Sequence, residues 1–568
     1  MTRYLSALTV AGLISSSTFA QGARHPADSP TPGAQIQRLQ EQRLRASSET
    51  AVPELLEPSG ALASTPDLHH LPRETPCFTI RRLTVAADGF GWLKELLQPV
   101  PGQCIGKRSL KLIQDVANNA LIERGYITSR LLVPTQSLEN GTLALQLVAG
   151  HISDIRIDGQ SPGWLRSALP THAGALLNQR NIDQGLENIR RLTSQSDATI
   201  DITSGAEPGD SVLIVHPGSG KRWHAVVGLD NAGARSTGQY QLSTALTIDA
   251  PFHLYDQLHL SANSNADRGI SDYSNRSQAV NYSVPLGYAM LLLGASRSKY
   301  KQTVAGFQEP IVYSGVQTQL DAKLSAVIFR NAHARTEAFA KLSHKINHNA
   351  IDDTEIDVQH RNLLDYELGI AHRQYLGNAV LDATLGWRAG LPGVSSAPGL
   401  VMGDAEFNGK TQIETASASL LAPFVVGQQN LSYQLGWNAQ NARTRLTPQD
   451  YFTIGNRYAV RGYDQQLTLA AESGWVVSNE LDWLIPTAVG QQALYAGVDV
   501  GRVRGPSAEY LVGQTLAGAV VGARGSVGAK SFAGVAFTYD LSLGWPLSKP
   551  EGFQTGSPSV LFQVNALW

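Results

Sequence analysis

The chain has 568 residues, with 45 Lys+Arg against 47 Asp+Glu, and its 16% charged residues fall well short of the roughly 25% of an ordinary soluble domain. A net charge of -2 lacks the basic excess with which proteins neutralise phosphates, so nucleic acid is not an expected partner. Beyond residue 20 no run of about 18 apolar residues occurs, which leaves a β-barrel as the one way this chain could span a membrane.

Residues 1–20 read as a secretory signal: Arg3 in a short basic start, a mostly apolar core from Leu5 to Ile14, and the small residues Thr18 and Ala20 before a cut at Gln21. An exported chain meets an oxidising compartment, so Cys77 and Cys104 are expected to form a disulfide, worth on the order of 3 to 4 kcal/mol in the chain-entropy model. No His or further Cys stands at ligand spacing from them, and neither a metal nor a cofactor is expected. Residues 21–47 lead into a helix over Gly33–Ser47 whose few apolar residues, Ile36, Leu39 and Leu44, leave most of its surface polar. Such a helix is either a solvated tether or the filling of a polar pore. Residues 48–74 carry Pro53, Pro58, Pro66 and Pro72 without a sustained period and read as a flexible linker.

From Thr75 the pattern changes to β-α-α-β-β: a strand at Phe78–Val85, helices at Gly91–Leu97 and Lys107–Arg124, and strands at Tyr126–Val133 and Thr142–Val148. The same order recurs at His151–Ile157, Gly163–Leu169, Asp183–Leu192, Thr199–Ser204 and Val212–His216, an internal repeat that divides this region into units 75–150 and 151–219. Residues 220–568 hold hardly any helical pattern. Alternation places sixteen strands near 222–231, 237–250, 255–266, 275–285, 287–300, 314–329, 334–346, 361–375, 377–389, 410–424, 429–443, 475–486, 490–503, 516–527, 531–543 and 558–568. An even count, with short junctions such as 285–288 and 376–378 alternating with long ones such as 397–408 and 444–474, fits a transmembrane barrel whose outer face meets lipid. In the last strand Phe562, Val564, Ala566 and Trp568 share a face, an ending similar to the recognition signal of bacterial outer-membrane barrels, which implies insertion by the barrel-assembly machinery.

The junction between the eleventh and twelfth strands contains Tyr458–Asp464, YAVRGYD, and the thirteenth strand carries Val498–Gly501, VDVG. With the repeated units, these motifs make the chain resemble, over nearly its whole length, the outer-membrane translocators of two-partner secretion, in a superfamily shared with the barrel-assembly factors. The resemblance implies a mainly β fold: a 16-stranded transmembrane barrel behind a plug helix, a linker and two POTRA domains. In that family the Arg and Tyr of VRGY lie at the tip of the sixth external loop, which folds back into the barrel, and the Arg pairs with the Asp of VDxG. The corresponding residues here are Arg461, Gly462, Tyr463 and Asp499. The polar helix then finds a place as a pore plug, with Gln35, Arg38, Gln42 and Arg45 on it.

No catalytic constellation is found. Gly159–Gly163, GQSPG, fits G-x-S-x-G, but Pro162 has no N–H for an oxyanion hole, and Ser161 with Pro162 reads better as a helix start. Gly218–Lys221, GSGK, lacks the flanking residues of a phosphate loop, and His69 and His70 stand without partners. The resemblance implies a non-enzymatic translocator whose periplasmic units capture a large unfolded exoprotein through its N-terminal region. That exoprotein would be a haemolysin, an adhesin or a contact-dependent growth-inhibition toxin. A barrel-assembly factor or a passive porin are the other readings.

Overall fold

The computed structural model describes residues 67–568 except 88, 160–162, 234–235, 268–272, 306–309, 398–400, 403–404, 407–408, 489 and 529–533. The expected signal segment, the plug residues Gln35, Arg38, Gln42 and Arg45, most of the linker, and the helix-start residues Ser161 and Pro162 lie outside the described residues.

The first N-terminal unit comprises β1 (Phe78–Thr79), β2 (Arg82–Ala86), α1 (Gly91–Leu96), β3 (Cys104–Ile105), α2 (Lys107–Glu123), β4 (Arg130–Leu132) and β5 (Thr142–Val148), with a sheet in the order β2-β5-β4. Helix α2 buries Ile113, Val116, Ala117, Ala120 and Leu121, spaced to share one face, against the sheet and Phe90, Leu93 and Leu97. Its N-cap, Gly106, has no side chain to give, and Glu74 supplies the cap from outside. The Glu74 carboxylate accepts the N–H groups of Gly106, Arg108 and Ser109 at 3.1, 2.9 and 2.9 Å and the Ser109 hydroxyl at 2.7 Å. Cys77 and Cys104 are joined by a disulfide, Cα–Cα 5.4 Å, beside the β1–β3 pair. Two expectations are corrected here. The strand expected at Phe78–Val85 breaks at residues 80–81, because Ile80 turns into the core and β1 pairs with the unforeseen β3 rather than with the main sheet. The strand expected from Tyr126 begins only at Arg130.

The second unit contains β6 (His151–Ile157), α3 (Leu165–Ala168), α4 (Gln179–Arg190), β7 (Thr199–Ser204) and β8 (Asp210–His216), with strand order β6-β8-β7. The helix expected from Gly163 begins at Leu165, behind Trp164, whose N–H is held by the carbonyl of His253 at 2.6 Å. Two side chains of α4's start join the two units: Asn178 accepts the N–H of Arg180 at 2.9 Å, capping α4, and donates to the carbonyl of Arg124 at 3.0 Å, while Arg180 donates to the carbonyl of Glu123 at 3.0 Å, both satisfying the end of α2.

Sixteen antiparallel strands then close into a barrel. Its first half is β9 (Trp223–Asp230), β10 (Gln241–Asp249), β11 (Gln257–Asn265), β12 (Ser274–Leu286), β13 (Ala289–Ala305), β14 (Pro310–Arg330) and β15 (Ala334–Ile351), which carries the two-residue partner β16 (Thr354–Glu355) at its far end. There follow β17 (Arg361–Leu376), β18 (Ala379–Gly390), the small hairpin β19 (Val401–Met402) and β20 (Ala405–Glu406), β21 (Gln412–Val426) and β22 (Gln429–Ala442). A second hairpin, β23 (Phe452–Ile454) and β24 (Leu469–Ala471), precedes β25 (Ser473–Thr487), β26 (Gly490–Arg504), β27 (Thr515–Val527), β28 (Ala536–Ser548) and β29 (Ser559–Leu567). The fifteenth strand is thus Ala536–Ser548 rather than 531–543: alternation marks the period of this stretch and leaves its ends open. The last strand pairs with the first, and the Trp568 N–H donates to the carbonyl of Ala225 at 3.0 Å.

Alternation sorts the two faces. On β14 Leu320 and Leu324 point outward, about half exposed, while Gln317 and Gln319 are buried inside. On β29 Phe562, Val564 and Ala566 lie outward and Gln563 and Asn565 inward, and Trp568, just past its end, is exposed. At the end nearest the N-terminal units, three junctions are two-residue turns beginning with Gly287, Gly377 and Gly427 at φ +67°, +62° and +63°, as tight hairpins require. The second unit is fastened to this end. Arg330 reaches Gln184 at 2.7 Å and Glu187 at 2.5 Å, Arg335 also pairs with Glu187, and Asn188 donates to the carbonyl of Gly287 at 2.7 Å.

Candidate functional site

The sixth junction at the far end, residues 443–472, folds back against the inner face of β25–β28. Two anchors hold it. At its base Asp450 accepts Lys345 of β15 at 3.3 Å and Arg388 of β18 at 2.9 Å, while Gln440 donates to the carbonyls of Asp450 and Glu472 at 2.6 and 2.8 Å. At its tip Arg461 meets Asp499. The Arg461 backbone N–H and Nε donate to Asp499 Oδ2 at 2.8 and 2.7 Å, and Nη2 donates to Oδ1 at 2.8 Å. This is a bidentate pair with a third, backbone bond, on a carboxylate that is 1% exposed.

The pair belongs to a larger network. Arg461 also pairs with Glu480 of β25, Glu480 accepts Arg524 of β27 at 2.7 Å, and Arg524 pairs with Asp482, which takes Gln434 at 2.7 Å. Arg524 lies over the Tyr495 ring at 4.7 Å, and Tyr495 donates to Asp540 at 2.7 Å. Every carboxylate faces a guanidinium or a neutral donor, so the charges are compensated where water is scarce. A cavity of about 150 Å³ remains between Arg461, Arg524, Tyr495, Asp540 and Gly544.

Close approach of the tip to the wall depends on glycine. Gly462 has φ +111°, and a Cβ there would stand 2.5 Å from the carbonyl oxygen of Trp545. Opposite it, a Cβ on Gly518 would collide with the carbonyl of Arg461, one on Gly544 would lie 2.7 Å from the Gly462 Cα, and one on Gly497 would lie 2.6 Å from Arg461 Nη2. These three wall glycines form a trough on adjacent strands. Tyr463 is buried beyond them: its hydroxyl lies 2.9 and 2.7 Å from the carbonyls of Ala517 and Ser548, and its ring packs edge-on against Phe553 at 5.5 Å. Asp464 ties the tip to the last junction, accepting Thr555 Oγ1 at 3.0 Å and the Gly556 N–H at 2.8 Å.

The structure therefore brings Arg461, Gly462, Tyr463 and Asp499 into one place, with Cys77 and Cys104 far from it in the first N-terminal unit. Sequence reasoning missed Glu480, Asp482, Arg524 and Asp450. Period-2 alternation marks inward polar residues without saying which of them meet across the lumen. The wall glycines did leave a signal: Gly497, Gly518 and Gly544 all fall on inward-facing positions of neighbouring strands.

The chain matches the family model described as haemolysin secretion/activation protein ShlB/FhaC/HecB over residues 209–525, the ShlB-type POTRA domain over 79–150 and a POTRA domain over 151–203. It is 35% identical over 515 residues to the outer membrane transporter CdiB-2 of Burkholderia pseudomallei (strain 1026b), covering 87% of each chain. To the hemolysin transporter protein ShlB of Serratia marcescens it is 29% identical over 413 residues, 72% of each chain. Among solved structures, CdiB from Escherichia coli superposes with a TM-score of 0.81 at 26% identity, covering 95% of this chain and 99% of that one. CdiB from Acinetobacter baumannii gives 0.79 at 30% identity, covering 94% and 97%.

Proposed function

We propose, for a chain that belongs to the haemolysin secretion/activation protein family and is an outer-membrane translocator of two-partner secretion, that its POTRA domains take hold of one large unfolded exoprotein and its barrel passes that exoprotein to the cell surface. The exoprotein is a haemolysin, an adhesin or a contact-dependent growth-inhibition toxin. The observation that carries this reading is the coupling of an open sheet edge to the barrel mouth. Among the described residues β7, Thr199–Ser204, has a strand on one side only, and the domain that bears it is bolted through Arg330 and Glu187 to the periplasmic turns. An extended client segment can add to that edge through main-chain hydrogen bonds and be delivered beside the lumen.

In this reading Arg461, Gly462, Tyr463 and Asp499 form a lock that keeps the sixth external loop inside the barrel. The helix bearing Gln35, Arg38, Gln42 and Arg45 plugs the pore and leaves before export. Lipid surrounds the outward-facing strand residues, and the barrel-assembly machinery inserts the chain through the strand ending in Phe562, Val564, Ala566 and Trp568. No catalytic role is assigned to any residue.

The test is crosslinking in living cells through a cysteine at Thr203→Cys on the outer edge of β7, followed by mass spectrometry of the captured chains. One large exoprotein, joined through its N-terminal region, is the expected product. Capture of many different barrel proteins would make this an assembly factor instead.

A further inference from the structure

At the opposite, extracellular end, the fourth external junction brings together three side chains that the export reading does not use: His348, Glu355 and His360. Strand β15 is 18 residues long. At about 3.4 Å per residue and a tilt near 40° it rises about 45 Å, well above an apolar band of roughly 25 Å. Its last residues therefore stand in water outside the cell. There Asn347 and Asn349 are buried on the inner face, which turns His348 outward. The chain then reverses at Asp352 and Asp353, both with positive φ (47° and 64°) as a tight hairpin requires, and β16 returns Glu355 alongside. A single helical turn at Asp357–Gln359 brings His360 back to the same spot. That turn is held by Tyr313, which donates to Gln359 Oε1 at 2.6 Å, and by Asn349, which donates to the same atom at 3.0 Å.

The result is convergence on one point. His348 Nδ1 lies 2.8 Å and His360 Nδ1 3.4 Å from the same oxygen, Glu355 Oε1, and the imidazole rings stand edge-on with centroids 4.4 Å apart. All three ligand atoms fall within 4.8 Å of one another. In a four-coordinate zinc site with metal–ligand distances of about 2.0 to 2.2 Å, neighbouring ligand atoms are separated by roughly 3.3 to 3.5 Å. The His360–Glu355 spacing of 3.4 Å falls inside that range and the His348–Glu355 spacing of 2.8 Å falls short of it, a difference the half-exposed side chains can make up by small rotations. Two borderline imidazoles beside one hard carboxylate make a donor set that suits zinc and its late first-row neighbours and not magnesium, which takes oxygen ligands in near-octahedral geometry.

We propose that His348, Glu355 and His360 form an extracellular binding site for a divalent late transition metal of the zinc class, with one coordination position left to water. A metal held there clamps the end of β15, the β16 return and the entry to β17 into one unit, so that the fourth external loop is stapled at the cell surface.

The test uses the full-length protein in detergent, purified without a polyhistidine tag, and titrated with zinc chloride by calorimetry and with cobalt chloride by visible absorption. About one equivalent of zinc should bind, cobalt should give the intense absorption of a four-coordinate site, and magnesium should give neither signal. His348→Ala with His360→Ala should abolish both signals, and Glu355→Gln should weaken zinc binding on the order of tenfold or more. A His151→Ala and His172→Ala control, in exposed histidines of the second POTRA domain, should leave both unchanged. Heat-modifiable migration of each variant shows that the barrel is folded. Zinc binding of equal strength in the wild type and in folded His348→Ala/His360→Ala protein, or none in the wild type, overturns the proposal.

Discussion

Arg461 bears the energetics of the lumen because it touches two carboxylates at once, Asp499 and Glu480, both nearly dry. Substituting it by alanine strands Asp499 in a packed site and leaves Glu480 with Arg524 as its remaining guanidinium partner, a loss of about 3 to 5 kcal/mol for a buried pair broken on one side. Arg461→Ala is therefore expected to lower the temperature at which the barrel loses its folded, heat-modifiable form and to cut export, while barrels still assemble. Unchanged stability and unchanged export would show that the contact does not act as a lock. The Arg461–Asp499 partnership was legible because the motif resemblance named both ends and the strand count placed them in the sixth external loop and on the inner face of the thirteenth strand. Glu480, Asp482 and Arg524 were not. Each is one inward polar residue among many, and their meeting depends on the shear of the sheet, which no local pattern records. The His348–Glu355–His360 cluster was hidden for a related reason: its spacing becomes meaningful only once two tight turns fold it.

At the scale of elements, α2 depends on a residue outside itself. The backbone N–H of Arg108, then those of Ser109 and Gly106 together with the Ser109 hydroxyl, hold the Glu74 carboxyl at about 2, below its ordinary 4.5. A carboxylate with a lowered folded-state pKa stabilises fully above the unfolded value. That contribution is lost as pH falls from about 4.5 towards about 2. Hydrogen-exchange protection of Lys107–Glu123 should accordingly decline across that window, and Glu74→Gln should lower it at neutral pH and flatten the decline. The same pH profile in Glu74→Gln would remove the cap from the account. The helices were legible from their apolar spacing, whereas β3 was not, since two residues are too few to show a period. The fifteenth strand slipped by about five residues for the opposite reason: the alternation runs on past its ends.

Across the whole molecule, a second POTRA domain bolted to periplasmic turns, a closed barrel with polar inner and apolar outer residues, and an external loop pinned inside it support the proposed route from periplasm to surface. The architecture was readable because a bacterial outer-membrane barrel is even-numbered, alternating and punctuated by unequal loops, and these are properties of sequence. The route itself is tested most directly with an exoprotein arrested in transit by a stably folded domain fused to its C-terminus. Asp321 and Leu320 are adjacent on β14, the first facing the lumen and the second, 50% exposed, facing lipid. With Asp321→Cys the arrested chain should form a crosslink, and with Leu320→Cys it should form none. Continued export with no crosslink from Asp321→Cys, or equal crosslinking from both positions, would contradict passage through the barrel.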